Sequence, residues 1–121
     1  MIDHIGVAVN DLETSREFYS KALAPLNIKL VMEFDKAAGF GRDGKPEFWL
    51  EVRAAPAQPM HIAFAAESRR EVRQFYEAAL AAGGKDNGAP GVRKIYHPDY
   101  YGAFVLDPDG NNIEAVCHLP E

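Results

Sequence analysis

The chain has 121 residues, of which 47% are hydrophobic and 26% charged, a balance that excludes disordered and collagen-like proteins and suits one domain. Its formal net charge of −5 argues against nucleic acid or an anionic membrane as the main partner, because both attract basic surfaces. The single cysteine, Cys117, cannot form an internal disulfide, and no apolar run approaches the ~20 residues of a membrane span. We therefore expect a small, acidic, cytoplasmic protein.

The first half of the chain predicts a strand, a helix and three further strands. Residues 2–9 alternate as a short strand does, and Asp11 is a candidate N-cap of a helix that Pro25 would end. The predicted buried stripe of this helix holds Phe18, Tyr19, Ala22 and Leu23. Strand-like runs then follow at residues 26–34, 38–41 and 48–53.

The second half predicts the same order of elements. After a short strand at 61–65, Ser68 and Glu71 form a capping-box signature for a helix that Gly83 and Gly84 would end. Its apolar positions have helical spacing and are Val72, Phe75, Tyr76 and Ala79. Three strands are predicted at 91–97, 102–107 and 112–118, and the Pro- and Gly-containing segment 107–111 is a tight turn.

The two halves are also alike residue by residue. With an offset of 57, residues 4–23 align without gaps on residues 61–80, and eight of the twenty pairs are identical. Unrelated segments would share about one or two identities. We therefore predict a duplication within a single domain spanning 1–121, in which residues 1–55 and 60–121 each form a βαβββ module. The proline-containing stretch 54–59 is the predicted linker.

Each half places a histidine on its first strand and a glutamate on its last. His4 and His61 share their strand faces with small residues, which leaves space beside each imidazole. Glu51 and Glu114 interrupt apolar strands, where a charge is normally paired, exposed or bound to metal. The histidines could instead be hydrogen-bonded core residues, and the glutamates could face solvent. Their repetition favours a shared site for a divalent ion such as Zn, Ni, Co, Mn or Fe.

Four sequence motifs point to one family. They are His-Ile-(small)-Val near the start, a helix ending Phe-Tyr-x-x-x-Leu, a second His-Ile-Ala-Phe, and a closing Asp-Pro-Asp-Gly-Asn-x-Ile-Glu. This combination resembles the vicinal oxygen chelate superfamily, which includes glyoxalase I, extradiol dioxygenases and bleomycin-binding proteins. The resemblance implies an α+β fold in which two tandem βαβββ modules form a U-shaped, partly closed mixed sheet around a metal.

The resemblance also implies a site and an activity. His4, Glu51, His61 and Glu114 match the four metal-ligand positions of glyoxalase I, whereas dioxygenases and thiol transferases lack the second of these. The implied enzyme is a metal-dependent lyase or isomerase that acts on a small metal-chelating oxygenated substrate through an enediolate, with Glu51 or Glu114 as the catalytic base. A homodimer is implied as well, and whether each site lies within one chain or across the dimer stays open.

Other functions remain open at this point. Ala8 stands where bacterial glyoxalase I has an arginine that helps to hold glutathione, so a different small-molecule substrate is expected. An Fe(II) ring-cleaving dioxygenase would use His4, His61 and Glu114, and a metal-free binding protein of bleomycin-resistance type would need none of them. Candidate residues for the mouth of the site are Phe40, Trp49, Arg93, Tyr96, His97, Tyr100 and Tyr101.

Overall fold

A computed structural model describes residues 1–53 and 58–121 of the chain. The first module contains β1 (Ile5–Val9), α1 (Leu12–Ala22), a 3₁₀ turn (Ala24–Leu26), β2 (Lys29–Phe34), β3 (Ala37–Gly41) and β4 (Phe48–Val52). The second contains β5 (His61–Ala65), α2 (Arg69–Ala81), β6 (Lys85–Val92), β7 (Tyr101–Leu106) and β8 (Asn112–Cys117). Part of the predicted linker, residues 54–57, lies outside the described residues.

Each module forms its own four-stranded mixed sheet. The strand orders are β1-β4-β3-β2 and β5-β8-β7-β6, so the two sheets have the same topology. In each sheet the first strand pairs in parallel with the last, and the other pairs are antiparallel. The predicted α+β fold with two βαβββ modules and mixed sheets is confirmed.

The helices begin where their capping residues predict. The side chain of Asp11 accepts a hydrogen bond from the backbone N–H of Glu13, and that of Ser68 accepts one from the N–H of Glu71. Helix α2 ends before Gly83, whose φ of 100° lies in the left-handed region that glycine tolerates best. Both predicted stripes face the core, although Tyr76 is only partly buried.

A turn of the second module is anchored on the first module. The buried hydroxyl of Tyr19, on α1, donates a hydrogen bond to Asp107, and burial raises the pKa of this tyrosine well above its usual value. In the same turn, Asp109 accepts hydrogen bonds from the backbone N–H of Asn10 and from the Ser15 hydroxyl. Because α1 also packs against α2, the two modules share one core on the helical side of the sheets.

The structure corrects two predicted strands. The prediction of a strand at 91–97 is wrong: β6 occupies Lys85–Val92, and residues 93–100 form turns and irregular chain. Strand β6 contains charged residues, glycines and a proline, so its sequence lacks the alternation typical of a strand. It forms by pairing with β7, and the register of this pairing is irregular around Gly88. The strand predicted at 26–34 begins only at Lys29, because Ala24–Leu26 forms a 3₁₀ turn and Asn27 has a φ of 62°.

Within residues 1–53 and 58–121, no helix is both long enough and apolar enough to cross a lipid bilayer.

Candidate metal centre

Each sheet packs one face against the helices, and its first strand has a more exposed opposite face. On β1, Val7 and Val9 are buried, whereas His4 lies just before the strand and is exposed. On β5, the His61 face is likewise the more exposed one. The predicted alternation of the two strand faces is therefore seen in both modules, and both histidines lie on open faces.

In the second module, His61 and Glu114 face each other directly. The imidazole Nε2 lies 3.1 Å from Oε1 of the carboxylate, and Nδ1 lies 3.0 Å from the backbone carbonyl oxygen of Asn112. Because a carbonyl oxygen only accepts, Nδ1 is the donor in the contact with Asn112, and Nε2 is the ring nitrogen that faces the carboxylate. A hydrogen on Nε2 would join the two groups in a hydrogen bond, and without it Nε2 and Oε1 together offer two donor atoms to a cation.

The buried carboxyl group of Glu114 is held in place by a hydrogen bond. Its side chain is only 1% exposed, and the Tyr100 hydroxyl donates a hydrogen bond to Oε2. Burial, together with the hydrogen bond to Glu114, raises the pKa of Tyr100 well above its usual value, so the phenol stays a donor. A Cβ atom at Gly102 would lie 2.9 Å from Oε2, so this glycine makes room for the carboxylate.

The first module arranges its histidine in a similar way. Nδ1 of His4 lies 2.8 Å from Oδ1 of Asp3, and the Lys45 ammonium lies 3.0 Å from the other oxygen of that carboxylate. The hydrogen bond from His4 and the charge of Lys45 lower the pKa of Asp3. An acceptor beside Nδ1 again leaves Nε2 as the nitrogen available to a metal, as in the carboxylate–histidine pairs of metal sites.

Glu51 is more open than Glu114. Its side chain is 39% exposed and forms an ion pair of 2.5 Å with Arg53. A Cβ atom at Gly6 would lie 2.7 Å from Oε1, so the carboxylate extends back over this glycine, towards the His4 end of β1. His4 and Glu51 line one open cleft of about 520 Å³.

The four predicted ligands therefore occur two to a module: His61 contacts the buried Glu114, and His4 and Glu51 line one cleft. Among residues 1–53 and 58–121, no group of three or more His, Cys, Asp and Glu side chains lies close enough to hold a metal ion within one chain. Each pair fits a divalent cation by its donor chemistry, since each offers an imidazole Nε2 and a carboxylate oxygen.

The residues predicted at the mouth of the site have different locations. Trp49 lines the cleft with His4 and Glu51, and Tyr100 contacts Glu114. The prediction for Phe40 is wrong, because its ring is fully buried on the helical side of the sheet. Arg93 donates to three backbone carbonyls and stacks on Phe104. Tyr101 stacks under Arg69. Nδ1 of His97 accepts a hydrogen bond from the backbone N–H of Asp99. The ring of Tyr96 packs against that of Tyr100 at a tilt.

Two supporting residues of the first module were not predicted from the sequence. Asp3 directly precedes His4, which is the signal that could have revealed it as the acceptor for Nδ1. Phe34 ends β2 and carries no such signal, because its place in the cleft depends on the pairing of β2 with β3.

Comparison with known proteins agrees with this architecture. The family model of the Glyoxalase/Bleomycin resistance protein/Dioxygenase superfamily matches residues 1–115. The crystal structure of a glyoxalase/bleomycin resistance protein from Albidiferax ferrireducens T118 is 32% identical, with a TM-score of 0.84 over 94% of this chain and 96% of that one. The uncharacterized protein YqjT of Bacillus subtilis strain 168 is 28% identical, over 94% of this chain and 96% of its own.

A longer relative shares the fold. A glyoxalase I mutant from Zea mays aligns with a TM-score of 0.74 at 24% identity, over 95% of this chain but only 46% of the maize chain. The chain belongs to the Glyoxalase/Bleomycin resistance protein/Dioxygenase superfamily, as its four motifs predict.

Proposed function

We propose that the chain is a metal-dependent lyase or isomerase of glyoxalase type that acts on a small oxygenated substrate. The observation that carries this proposal is the pair of His61 and Glu114, in which Nε2 and Oε1 lie 3.1 Å apart. The carboxylate is fully buried and fixed by Tyr100, so this is a built arrangement rather than a surface contact. Retention of Glu51 on the other module supports a lyase or isomerase over a three-ligand oxygenase.

The complete site would form between two copies of the chain. His4 and Glu51 of one copy would meet His61 and Glu114 of the other, since the two pairs of one chain lie on separate sheets. Strands β1 and β5 each lie at one edge of their sheet within the described residues, opposite β2 and β6, and a second copy could pair with them. This arrangement also accounts for the open faces on which both histidines lie.

The residues of the chain would then have distinct roles. His4, Glu51, His61 and Glu114 would hold a divalent ion, which when bound supplies Lewis-acid polarisation of two neighbouring substrate oxygens. Asp3 and the carbonyl of Asn112 keep a hydrogen on Nδ1 of each imidazole and so present Nε2. Tyr100 fixes Glu114 through Oε2. Glu51, the more exposed carboxylate, would take a proton from one substrate carbon and return it to its neighbour.

Metal binding tests this proposal. The purified protein is expected to bind about one equivalent of Zn, Ni, Co, Mn or Fe per chain. His61→Ala and Glu114→Gln are each expected to weaken binding by more than about 100-fold, because they remove a ligand rather than a supporting group, for which the usual loss is 10–100-fold. Chelator competition measures the affinity, and Glu77→Gln, on the exposed face of α2, is the matched control. Substoichiometric metal with unchanged affinity in His61→Ala would overturn the proposal.

Activity is the second part of the test. The metal-loaded protein is expected to isomerise adducts formed between 2-oxoaldehydes and thiols, followed by ultraviolet absorbance. Because Ala8 replaces the family arginine, we expect glutathione to have no advantage over a simple thiol such as 2-mercaptoethanol. A strong preference for glutathione would contradict this part of the account.

A further inference from the structure

Two aromatic side chains lie together on the open face of the first module. The rings of Phe34 and Trp49 are stacked, with centroids 6.1 Å apart and an interplanar angle of 14°. Phe34 is 59% exposed. Water solvates such a surface poorly, so an exposed stack of this kind marks a place where an apolar partner is favoured. We call these two residues the aromatic wall.

The pairing of three strands builds the aromatic wall. Phe34 pairs with Ala37, Ala37 pairs with Glu51, and Trp49 pairs with Gly39, so all of these residues share one face of the sheet. A Cβ atom at Gly39 would lie 3.0 Å from the Trp49 ring. This glycine therefore allows the indole to lie against the sheet, with its ring beside that of Phe34.

The aromatic wall lies in the same cleft as two of the candidate ligands. Phe34 and Trp49 line the cleft of about 520 Å³ together with His4 and Glu51. Trp49 precedes Glu51 by two residues on β4, so the two side chains are neighbours on one strand face. A substrate whose oxygens lie at the ligands would place its adjoining group against these rings.

The charges around the ligands favour the same kind of group. The cations near His4 and Glu51 are Lys45 and Arg53, and both are ion-paired, with Asp3 and Glu51 respectively. A substrate with an extended anionic tail would have to compete with these carboxylates, whereas a flat apolar group meets the aromatic wall directly.

We propose, resting on the proposed function, that the site selects substrates carrying a flat apolar ring next to the two chelating oxygens, and that this ring stacks on Phe34 and Trp49. Stacking would add to chelation, so the site would bind an aromatic chelator more tightly than its methyl counterpart. The two aromatic residues are specificity-determining, and they do not contribute to metal binding itself.

Two chelators that differ only in this group test the proposal. Benzohydroxamate and acetohydroxamate present the same pair of oxygens, with a phenyl or a methyl substituent. The Co(II)-loaded protein is titrated with each, and the visible spectrum of the ion reports chelation. Trp49 is the only tryptophan of the chain, so its fluorescence reports contact of the ligand with the aromatic wall. We expect benzohydroxamate to bind about tenfold more tightly and to quench this fluorescence, and acetohydroxamate to leave it nearly unchanged.

Three variants separate the possible outcomes. Phe34→Ala and Trp49→Ala are expected to reduce the preference to less than about threefold while the affinity for acetohydroxamate and for Co(II) stays the same. Leu119→Ala, which removes a side chain of similar exposure outside the cleft, is the control and should keep the preference. Phe34 is exposed, so its variant is expected to fold even if Trp49→Ala does not.

Each other result overturns a definite part of the account. Equal binding of the two chelators by the wild type would overturn the aromatic wall as a specificity site and leave the proposed function standing. Dissociation of the dimer by Phe34→Ala in sedimentation would assign the wall to the subunit interface and overturn it as well. Failure to bind Co(II), or to bind either chelator when loaded, would overturn the proposed function and this inference with it.

Discussion

The two modules carry the same residue types, yet they place them differently. In the second module, His61 pairs with Asn112, so Glu114 lies two residues further along β8 and reaches the imidazole. In the first module, Gly6 pairs with Trp49 and Ala8 with Glu51, so the glutamate lies four residues beyond the level of His4. Trp49 therefore has the register position in β4 that Glu114 has in β8.

This shift of two residues gives the two glutamates different environments. Glu114 is fully buried and bonded to Tyr100, whereas Glu51 is 39% exposed and forms an ion pair with the side chain of Arg53. A fixed, buried carboxylate suits a constant ligand, and an open one suits a group that changes its protonation during a reaction. The two modules thus hold two similar pairs, and under the proposed function we expect the difference in register to give the two glutamates different roles.

Replacing the two glutamates separately tests this division. Glu51→Gln is expected to lower kcat by about 10²- to 10⁴-fold at saturating metal, the usual contribution of a general base, and to weaken metal binding less than Glu114→Gln does. Glu114→Gln is expected to lose the metal itself. Turnover and metal content are measured on the same samples, with Glu77→Gln as the control for the loss of one carboxylate.

Two results would contradict the division. Equal loss of metal in both variants would show that the glutamates have the same task. Unchanged turnover in Glu51→Gln, with oxygen uptake on addition of catechol, would instead support the ring-cleaving dioxygenase that uses only His4, His61 and Glu114.

A smaller effect is expected from the residue that holds Glu114. Tyr100→Phe removes the donor to Oε2 but keeps the ring, so metal affinity is expected to fall by about 10- to 100-fold, as it does for other supporting groups. Tyr96→Phe is the matched control, because the Tyr96 ring packs against Tyr100 but does not donate the hydrogen bond to Glu114. Equal affinities of the two variants would show that Tyr100 only packs.

Much of the fold could be predicted from local signals. Asp11 and Ser68 cap their helices as their types predict, and the segment 107–111 turns where its proline and glycine indicate. Strand β6 could not be predicted, because Lys85, Gly88 and Pro90 are poor strand formers and the strand exists through its pairing with β7.

The four candidate ligands stay a prediction, and their arrangement could not be predicted from the sequence. The repeat identified two histidines and two glutamates, since strand position alone sets which face they occupy. Sequence could not reveal the different registers of β1–β4 and β5–β8, nor that Phe34 reaches the cleft of His4, because both depend on strand pairing.

Mixing complementary variants tests the site between two copies most directly. One chain carries His4→Ala and Glu51→Gln, the other carries His61→Ala and Glu114→Gln, and the heterodimer is isolated through two different tags. We predict that the heterodimer binds one metal ion with wild-type affinity, because the intact pair of each chain meets the intact pair of the other, while both parent homodimers bind none. A heterodimer as deficient in metal as its parents would contradict the account.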